Sequence, residues 1–518
     1  MSNLLNKKII KIIVSIIFAT MGSLLSFQLM IKKYELSLAI ITIIISFFGF
    51  LYLLYKTKDY VLYKINKEKV ISIIFSVLGG IVFYNVFKLK GIPEKHLFNN
   101  EIINPFKFRY YIFSFPMYVY LANYVFHKIR DWIIEWINSL DEYDKKFYII
   151  SSIILFIVIL LAYNLTNWWF LQCNKIYSLD SGWNFTDSYG SIIYTDVRHP
   201  FLNIFTFPLY AIINTIFKYL VNGKLLIKVT AIVLQLIHTQ FFIIMAIQLK
   251  RLTKNKIVPI VFLSSFSVLL FSIFFEKYQI CIFLSFMYIS EYCLKKKSNS
   301  TLLISSIGAM PTSGVLAFIE LFKKENIKEK IFRILKIFNT AVVTTICMGR
   351  LYFIKYGINE MITAKELYAN QIFTLKQKLV ATTKMFHSTF VALPSYTVGR
   401  KFLWKHVLDN FQLISLIIII ITLLGVFIKR KEFFSKICLF WILFSFVLFV
   451  GLNWSVFETP LFSVYFAWAI IPMFVIGMDY LINKLKLNRI FIYTVFLLLI
   501  TIVNVTMIFS IYNFMMRW

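Results

Sequence analysis

The polar stretch 177–210 holds the residues of this chain whose types and spacing best suit chemistry. It interrupts the apolar runs in the middle of the chain, and three of the 24 acidic residues fall within 17 positions there. In chain order the residues are Asp180, Asp187 and Asp196, followed by Arg198, His199 and Pro200. A single aspartate in an outer loop is usually a solvated turn or cap residue. Three of them directly before an Arg-His pair indicate a site.

The chemistry that these residues suit is transfer to a hydroxyl with departure of a phosphate. A carboxylate within hydrogen-bond reach of a hydroxyl can take its proton as general base. Arg198 and His199 would neutralise the charge that develops on a leaving phosphate, because fixed donors stabilise such charge best. Asp180 and Asp187 are seven residues apart and share a face if the segment is helical. For His199 alone, helix capping or packing is an equally good explanation.

The rest of the chain must hold this stretch at a membrane. Of its 518 residues, 59% are hydrophobic and 15% charged, whereas soluble domains carry about 25% charged residues. The apolar runs have the length that crosses a hydrocarbon core of about 30 Å, and such spans must be helical. The composition therefore predicts an all-α, polytopic integral membrane protein with about thirteen transmembrane helices.

The net charge of +31 lies in short Lys and Arg clusters between the apolar runs. That distribution orients membrane helices and attracts anionic lipids, so it argues against nucleic acid as a partner. It predicts a multi-pass cell-membrane protein with a cytoplasmic N-terminus and an active site on the outer face, where 169–224 is the first outer loop of the catalytic module. Four units are predicted: 1–146, four spans with a cytoplasmic amphipathic helix at 127–146; 147–356, the catalytic membrane module; 357–410, an outer interfacial loop; and 411–518, a block of four spans.

The thirteen spans include four that begin near residues 12, 36, 70 and 109. The others are expected near 147–168, 226–249, 257–274, 279–294, 332–354, 411–428, 435–452, 460–481 and 489–512. Two further segments are apolar without crossing. Segment 201–221 is expected to lie along the outer surface, and 301–322 is expected to form a re-entrant hairpin because Gly308, Pro311 and Gly314 break it.

The sequence around the aspartates resembles the polytopic glycosyltransferases of the GT-C fold. The resemblance rests on Asp180 after a span and on Asp196-Val197-Arg198-His199-Pro200-Phe201-Leu202 opening an apolar helix. In that family the first outer loop carries an essential acidic residue followed by His-Pro-Pro-Leu or a similar motif, from which His-Pro-Phe-Leu departs at one position. The resemblance covers roughly 147–410. It implies a polyprenyl-phosphate-linked sugar donor, a hydroxyl acceptor on a cell-surface glycan, lipid or protein, inversion at the anomeric carbon, and Asp180 as base.

Three residues outside the stretch are further candidates for substrate binding. Glu276 and Tyr278 follow a span, where Glu276 is otherwise a solvated helix-end charge. Arg350 lies near the end of an apolar run, where snorkelling to the interface is the alternative. Cations also recur in the outer loop, which predicts an interfacial cover over the site; they are Lys365, Lys376, Lys378, Lys384, His387, Arg400, Lys401, Lys405 and His406. The aspartates are of a type that can bind a divalent metal, but they lack a spacing specific for one, so no cofactor is expected.

Two other functions compete with this interpretation. A polysaccharide polymerase or ligase would use a diphosphate-linked oligosaccharide and depend more on outer-loop arginines. A flippase or transporter would bury ionisable residues at mid-membrane, whereas the acidic residues here are expected at membrane edges. The sequence has no GxxxxGK[ST] loop, HExxH helix or GxSxG elbow, so it lacks the usual residues of ATP-driven transport and of proteolysis.

Overall fold

The computed structural model describes residues 2–30, 35–91, 104–165, 199–276, 278–295, 299–368, 373–404, 413–453 and 462–516. Within these ranges the chain is helical almost throughout, which confirms the all-α prediction. The helices are α1 Ser2–Leu29, α2 Leu36–Lys67, α3 Lys69–Gly91, α4 Asn104–Asn138, α5 Glu142–Leu165, α6 Leu202–Lys218, α7 Gly223–Thr253, α8 Ile257–Ser264, α9 Phe266–Ile273, α10 Tyr278–Lys295, α11 Ser300–Ala309, α12 Ile327–Cys347, α13 Leu351–Tyr368, α14 Leu375–Phe390, α15 Leu413–Ile428, α16 Phe433–Phe446, α17 Ser463–Lys484 and α18 Arg489–Met516. A 3₁₀ helix covers Pro311–Phe322, a π-helical turn covers Val447–Gly451, and strands β1 (Ser395–Val398) and β2 (Lys401–Trp404) pair antiparallel.

Eight helices in the described ranges are long and apolar enough to cross a membrane. They are α1, α2, α3, α5, α7, α16 with the π-helical turn, α17 and α18. A helix rises about 1.5 Å per residue, so about 20 residues cover the hydrocarbon core. All eight coincide with predicted spans, and the chain is a polytopic membrane protein.

The other five predicted spans are helical but differ from a simple crossing helix. Segment 257–274 is divided at Ser265 into α8 and α9, and 332–354 is divided between α12 and α13, which bend by 111°. If that bent pair is one span, the described chain has up to nine. Helices α4, α10 and α15 are too short or not apolar enough to pass the same test. The total of thirteen stays a prediction.

The predicted amphipathic surface helix at 127–146 is not a separate element. Its first part continues α4 to Asn138, and its last part begins α5. The helix break lies at Ser139–Asp141, where the Asp141 carboxylate accepts a hydrogen bond from the Asp144 backbone N–H at 2.7 Å and caps α5. Helical periodicity alone does not reveal this break, because the apolar residues keep their spacing across it.

Helix α11 and the 3₁₀ helix form a hairpin beside α10. At its open end, Asn299 donates to the Glu291 carboxylate at 2.9 Å, and the Lys323 ammonium lies 4.8 Å from the Tyr292 ring centroid. At its tip, the Ala309 carbonyl accepts from the Cys281 thiol at 3.3 Å. Because Cys281 and Tyr292 lie on one helix, the hairpin extends about 16 Å along it.

The second half of α14 is buried, although the sequence predicts an interfacial segment at 357–410. It begins beside the π-helical turn, where Lys378 donates to the Gly451 carbonyl at 3.2 Å. It ends where Asn504 of α18 donates to the Phe390 carbonyl at 2.9 Å. Asn504 is about 22 Å along α18 from Arg489, so α14 enters the bundle instead of covering it.

Two apolar cores meet at α6. The larger core joins α7 to α10, the hairpin, and α14 to α18, with α17 buried over most of its length. The smaller joins α1 to α4 with Phe207 and Ala211 of α6, whose Leu202 and Ile213 belong to the larger core. Helix α6 therefore ties the N-terminal helices to the rest of the chain. Its predicted position along the outer surface stays a prediction.

Candidate functional site

His199 lies at the start of α6 against the tip of the hairpin. It is 5% exposed, and its Nδ1 is 2.8 Å from the Ala309 carbonyl oxygen. Because a carbonyl only accepts, this contact assigns the proton to Nδ1 and makes Nε2 the acceptor of the neutral ring. The Cys281 thiol donates to the same carbonyl. Packing, one of the two explanations for His199, is therefore present, and it fixes the orientation of the ring.

The residue after the His-Pro pair fastens this motif to the hairpin. The Phe201 N–H donates to the Gly308 carbonyl at 2.7 Å. A Cβ on Gly308 would lie 1.8 Å from Cδ2 of the Phe201 ring, a distance that no side chain can occupy. The sequence assigns Gly308 only to the hairpin break. Its close approach to Phe201 depends on a partner about 107 residues away, so no local signal shows it.

Arg350 lies at the break between α12 and α13 and is completely buried. Its guanidinium donates to the Leu29 carbonyl at 2.5 Å, the Pro200 carbonyl at 3.3 Å and the Asn203 side-chain oxygen at 3.2 Å. Snorkelling, the alternative for this residue, does not occur. Arg350 instead joins the end of α1, the His199–Pro200 turn and the start of α6.

Gly349 explains why the helix breaks beside Arg350. Its φ is +69°, in the left-handed region that favours glycine, and a Cβ there would lie 2.4 Å from the Ser26 carbonyl oxygen of α1. The close approach of α1 places the Leu29 carbonyl within reach of Arg350. The sequence does not predict this break in the apolar run 332–354.

Glu276 lies in the turn between α9 and α10 and is 2% exposed, so the solvated helix-end charge considered for it is wrong. Two buried glutamines brace this turn. Gln235 and Gln279 donate to the Phe271 carbonyl at 2.7 and 2.9 Å, and Gln279 also reaches the Phe274 carbonyl at 3.2 Å. The last carbonyls of a helix lack partners within it, so these amides satisfy the end of α9.

Tyr278, at the start of α10, is part of a row of aromatic rings. Its ring centroid lies 5.9 Å from that of His199, 5.9 Å from Phe462 and 5.2 Å from Tyr465. Phe449 of the π-helical turn stacks on Phe462 at 4.8 Å. The row therefore connects His199 to the π-helical turn beside α14, and such offset or edge contacts stabilise a wall of rings.

Half of the predicted site residues can be placed. They are His199, Glu276, Tyr278 and Arg350. The side chains of His199, Glu276 and Arg350 are buried, and the Tyr278 ring packs against the His199 ring. Asp180, Asp187, Asp196 and Arg198 lie outside the described residues. Arg198 directly precedes His199 in the sequence.

The described ranges contain no group of three or more His, Cys, Asp or Glu side chains that would hold a metal. That search does not include the aspartates of 177–196. The chain matches no family model, no curated protein and no solved structure.

Proposed function

We propose that this protein is an integral-membrane glycosyltransferase. It takes a sugar from a polyprenyl monophosphate and transfers it, at the outer face of the cell membrane, to a hydroxyl of a cell-surface glycan, lipid or protein. The observation that carries the proposal is the junction at His199. There the His-Pro-Phe-Leu motif, the hairpin tip and Arg350 are held together by hydrogen bonds from three distant parts of the chain. Rigid support of this kind is what a catalytic site requires.

The distribution of ionic pairs supports an outer position of the site. At one end of the bundle, Lys250 binds Asp144 at 2.7 Å and Arg489 binds Asp479 at 2.8 Å. Tyr278 packs on Tyr465 at the other end of α17, about 21 Å from Asp479. Because cationic loops stay cytoplasmic, these pairs favour an orientation with the Lys250 and Arg489 end inside and the Tyr278 end outside.

In the proposed reaction Asp180 removes the proton from the acceptor hydroxyl. The hydroxyl oxygen forms a bond to the anomeric carbon while the bond from that carbon to the phosphate oxygen breaks, so the configuration inverts and polyprenyl phosphate leaves. Arg198 and His199 offset the charge on the leaving phosphate. The hydrogen bonds from Arg350 to the Pro200 carbonyl and the Asn203 side chain favour a positioning role for it, in which it holds the His199–Pro200 turn.

The test uses purified protein in lipid nanodiscs with a panel of polyprenyl-phosphate sugars, and it follows carrier-dependent consumption of the donor. Asp180→Asn should lower turnover by about 100- to 10,000-fold, the usual contribution of a general base, while the protein still folds. Asp59→Asn makes the same chemical change at an exposed position of α2 and should leave turnover unchanged. Near-normal turnover of Asp180→Asn would exclude the base assignment.

A lipid-linked-sugar flippase is the second candidate, and one observation favours it. Lys384 and His387 are buried within the bundle, as a carrier requires of its ionisable residues. A flippase would move the intact donor across the bilayer of a proteoliposome without consuming it. The donor panel therefore separates the two functions, because only a transferase releases polyprenyl phosphate when acceptor is added.

A further inference from the structure

Helix α14 carries two cationic side chains into the bundle. Lys384 is 3% exposed and His387 is 7% exposed. They are three residues apart and lie on neighbouring positions of one helix face. Both are among the cations of the predicted outer loop, and the sequence does not distinguish them from exposed ones such as Lys376.

Lys384 has no acidic partner in the ranges that the structure describes. The polar groups around it are neutral. Thr383 and Ser388 donate to carbonyls of α14 itself, at 2.8 and 3.3 Å, and the Ser415 hydroxyl lies 3.3 Å from Nδ1 of His387. An unpaired ammonium in such surroundings is strongly unfavourable, because burial removes its hydration and nothing replaces it. The missing counter-charge points to an anionic ligand.

The position of α14 relates this cation to the candidate site. Its Ala381 packs on Val450 of the π-helical turn, which also carries Phe449 of the aromatic row. On another side, Ser267 of α9 donates to the Thr389 carbonyl at 3.2 Å. Helix α14 is therefore bounded by the two elements that flank Tyr278.

Lys384 lies about 14 Å along α14 from its first residue. That residue is at the outer end of the bundle in the proposed orientation. The first turns of α14 expose the apolar Leu375 and Leu379 together with Lys376, and the buried Lys384 lies further along the same helix. A ligand with an apolar chain and an anionic head would therefore find both apolar and cationic partners on α14.

We propose that Lys384, with His387 beside it, binds the phosphate of the lipid-linked donor. The inference rests on the proposed function and adds Lys384 and His387 to Arg198 and His199 as the groups that meet the donor phosphate. Lys384 would be the direct ligand of a phosphate oxygen, and His387, held by Ser415, would supply a second donor. A phosphate at this position also provides the counter-charge that the described chain does not offer to Lys384.

The experiment measures binding, independently of sugar transfer, on the full-length protein in nanodiscs. The probes are farnesyl phosphate, inorganic phosphate and farnesol, which separate the phosphate on a lipid from free phosphate and from the chain alone. Lys384→Met keeps an unbranched side chain of similar length and removes the charge. It should weaken farnesyl phosphate binding at least tenfold, which is about 1.4 kcal/mol. Lys384→Arg should retain most of the affinity, and Lys376→Met, on an exposed position of the same helix, should retain all of it.

Thermal unfolding supplies a readout that a purely structural lysine would not give. Without ligand, Lys384→Met should unfold at a temperature equal to or above that of the wild type, because it removes a buried unpaired charge. Farnesyl phosphate should stabilise the wild type and not the variant. Wild-type affinity in Lys384→Met would overturn the subsite, as would equal binding of inorganic phosphate and farnesyl phosphate.

Failure of the subsite and failure of the proposed function are distinguishable. If Lys384→Met binds farnesyl phosphate normally while Asp180→Asn abolishes transfer, only the subsite is wrong. If the wild type binds farnesyl phosphate through Lys384 but consumes no donor in the panel, the phosphate site stands and the transferase proposal is wrong.

Discussion

Gly308→Ala tests the contact between the hairpin tip and the His-Pro-Phe-Leu motif. The new Cβ would lie 1.8 Å from Cδ2 and 2.3 Å from Cγ of the Phe201 ring. Ordinary carbon–carbon contact needs about 3.5 Å, so the ring or the tip must move by about 1.7 Å. The hydrogen bond from Phe201 to the Gly308 carbonyl resists that movement. Overpacking of this kind costs about 1–3 kcal/mol.

The same displacement should reduce activity as well as stability. His199 is two residues before Phe201 and binds the carbonyl of Ala309, which follows Gly308. A shift of about 1 Å in a catalytic group can lower the rate about 100-fold. Gly308→Ala should therefore lower sugar transfer by about that factor.

The assays are thermal unfolding in detergent and turnover with the lipid-linked donor. Gly357→Ala is the matched control, because it makes the same change in α13 where nothing lies within 4 Å of the new Cβ. It should be neutral or stabilising, since alanine is favoured over glycine in helices by about 1 kcal/mol. Combining Gly308→Ala with Phe201→Leu should destabilise less than the sum of the two single changes. If Gly308→Ala alone keeps wild-type stability and turnover, the packing described for the tip is wrong.

Two further predictions concern positions away from the tip. Gly349→Ala should destabilise by several kcal/mol, because its left-handed φ, about 1–2 kcal/mol, is joined by a clash with the Ser26 carbonyl. Gly223→Ala, left-handed with nothing within 4 Å, should show the conformational cost alone; equal losses would refute the clash. At the break between α4 and α5, the hydrogen bond from Lys250 lowers the pKa of Asp141 below its ordinary 3.8. The resulting stability is present above about pH 4 and is lost as pH falls through the lowered pKa, so Lys250→Ala should flatten acid unfolding profiles measured there, and an unchanged slope would contradict the pairing.

The sequence predicts where helices occur better than where they break. Spans follow from runs of apolar residues, and the Gly308–Pro311 break is visible because both residue types interrupt helices. The sequence does not predict the break at Gly349, because a single glycine in an apolar run is tolerated in most helices. Its left-handed conformation is set by the close approach of α1, which composition does not encode.

The candidate site also has features that the sequence predicts and features that it does not. The sequence identifies Glu276 and Arg350 as candidates because charges beside apolar runs are rare. It does not predict that they are buried, since burial depends on which elements pack over them. The sequence does not predict a role for Gln235. An uncharged amide inside a span is common, and only the structure shows that this one donates to the carbonyl of Phe271 at the end of α9. The sequence does not separate Lys384 from the exposed cations, because a charged helix that stays in an outer loop has the same pattern as one that enters the bundle.

The two elements that depart most from simple spans enter the bundle from opposite ends. The hairpin extends from the cationic end of α10 to the level of Cys281, and α14 enters from the end that carries the aromatic row. Helix ends inside a membrane protein leave carbonyls and N–H groups that must find partners in the protein. Here the hairpin tip gives its carbonyls to His199 and Phe201, and the end of α14 gives its carbonyl to Asn504. The ends of these interrupted helices therefore supply the contacts that fix the proposed site. Lys384 lies on α14, which enters from the membrane's outer side in the proposed orientation.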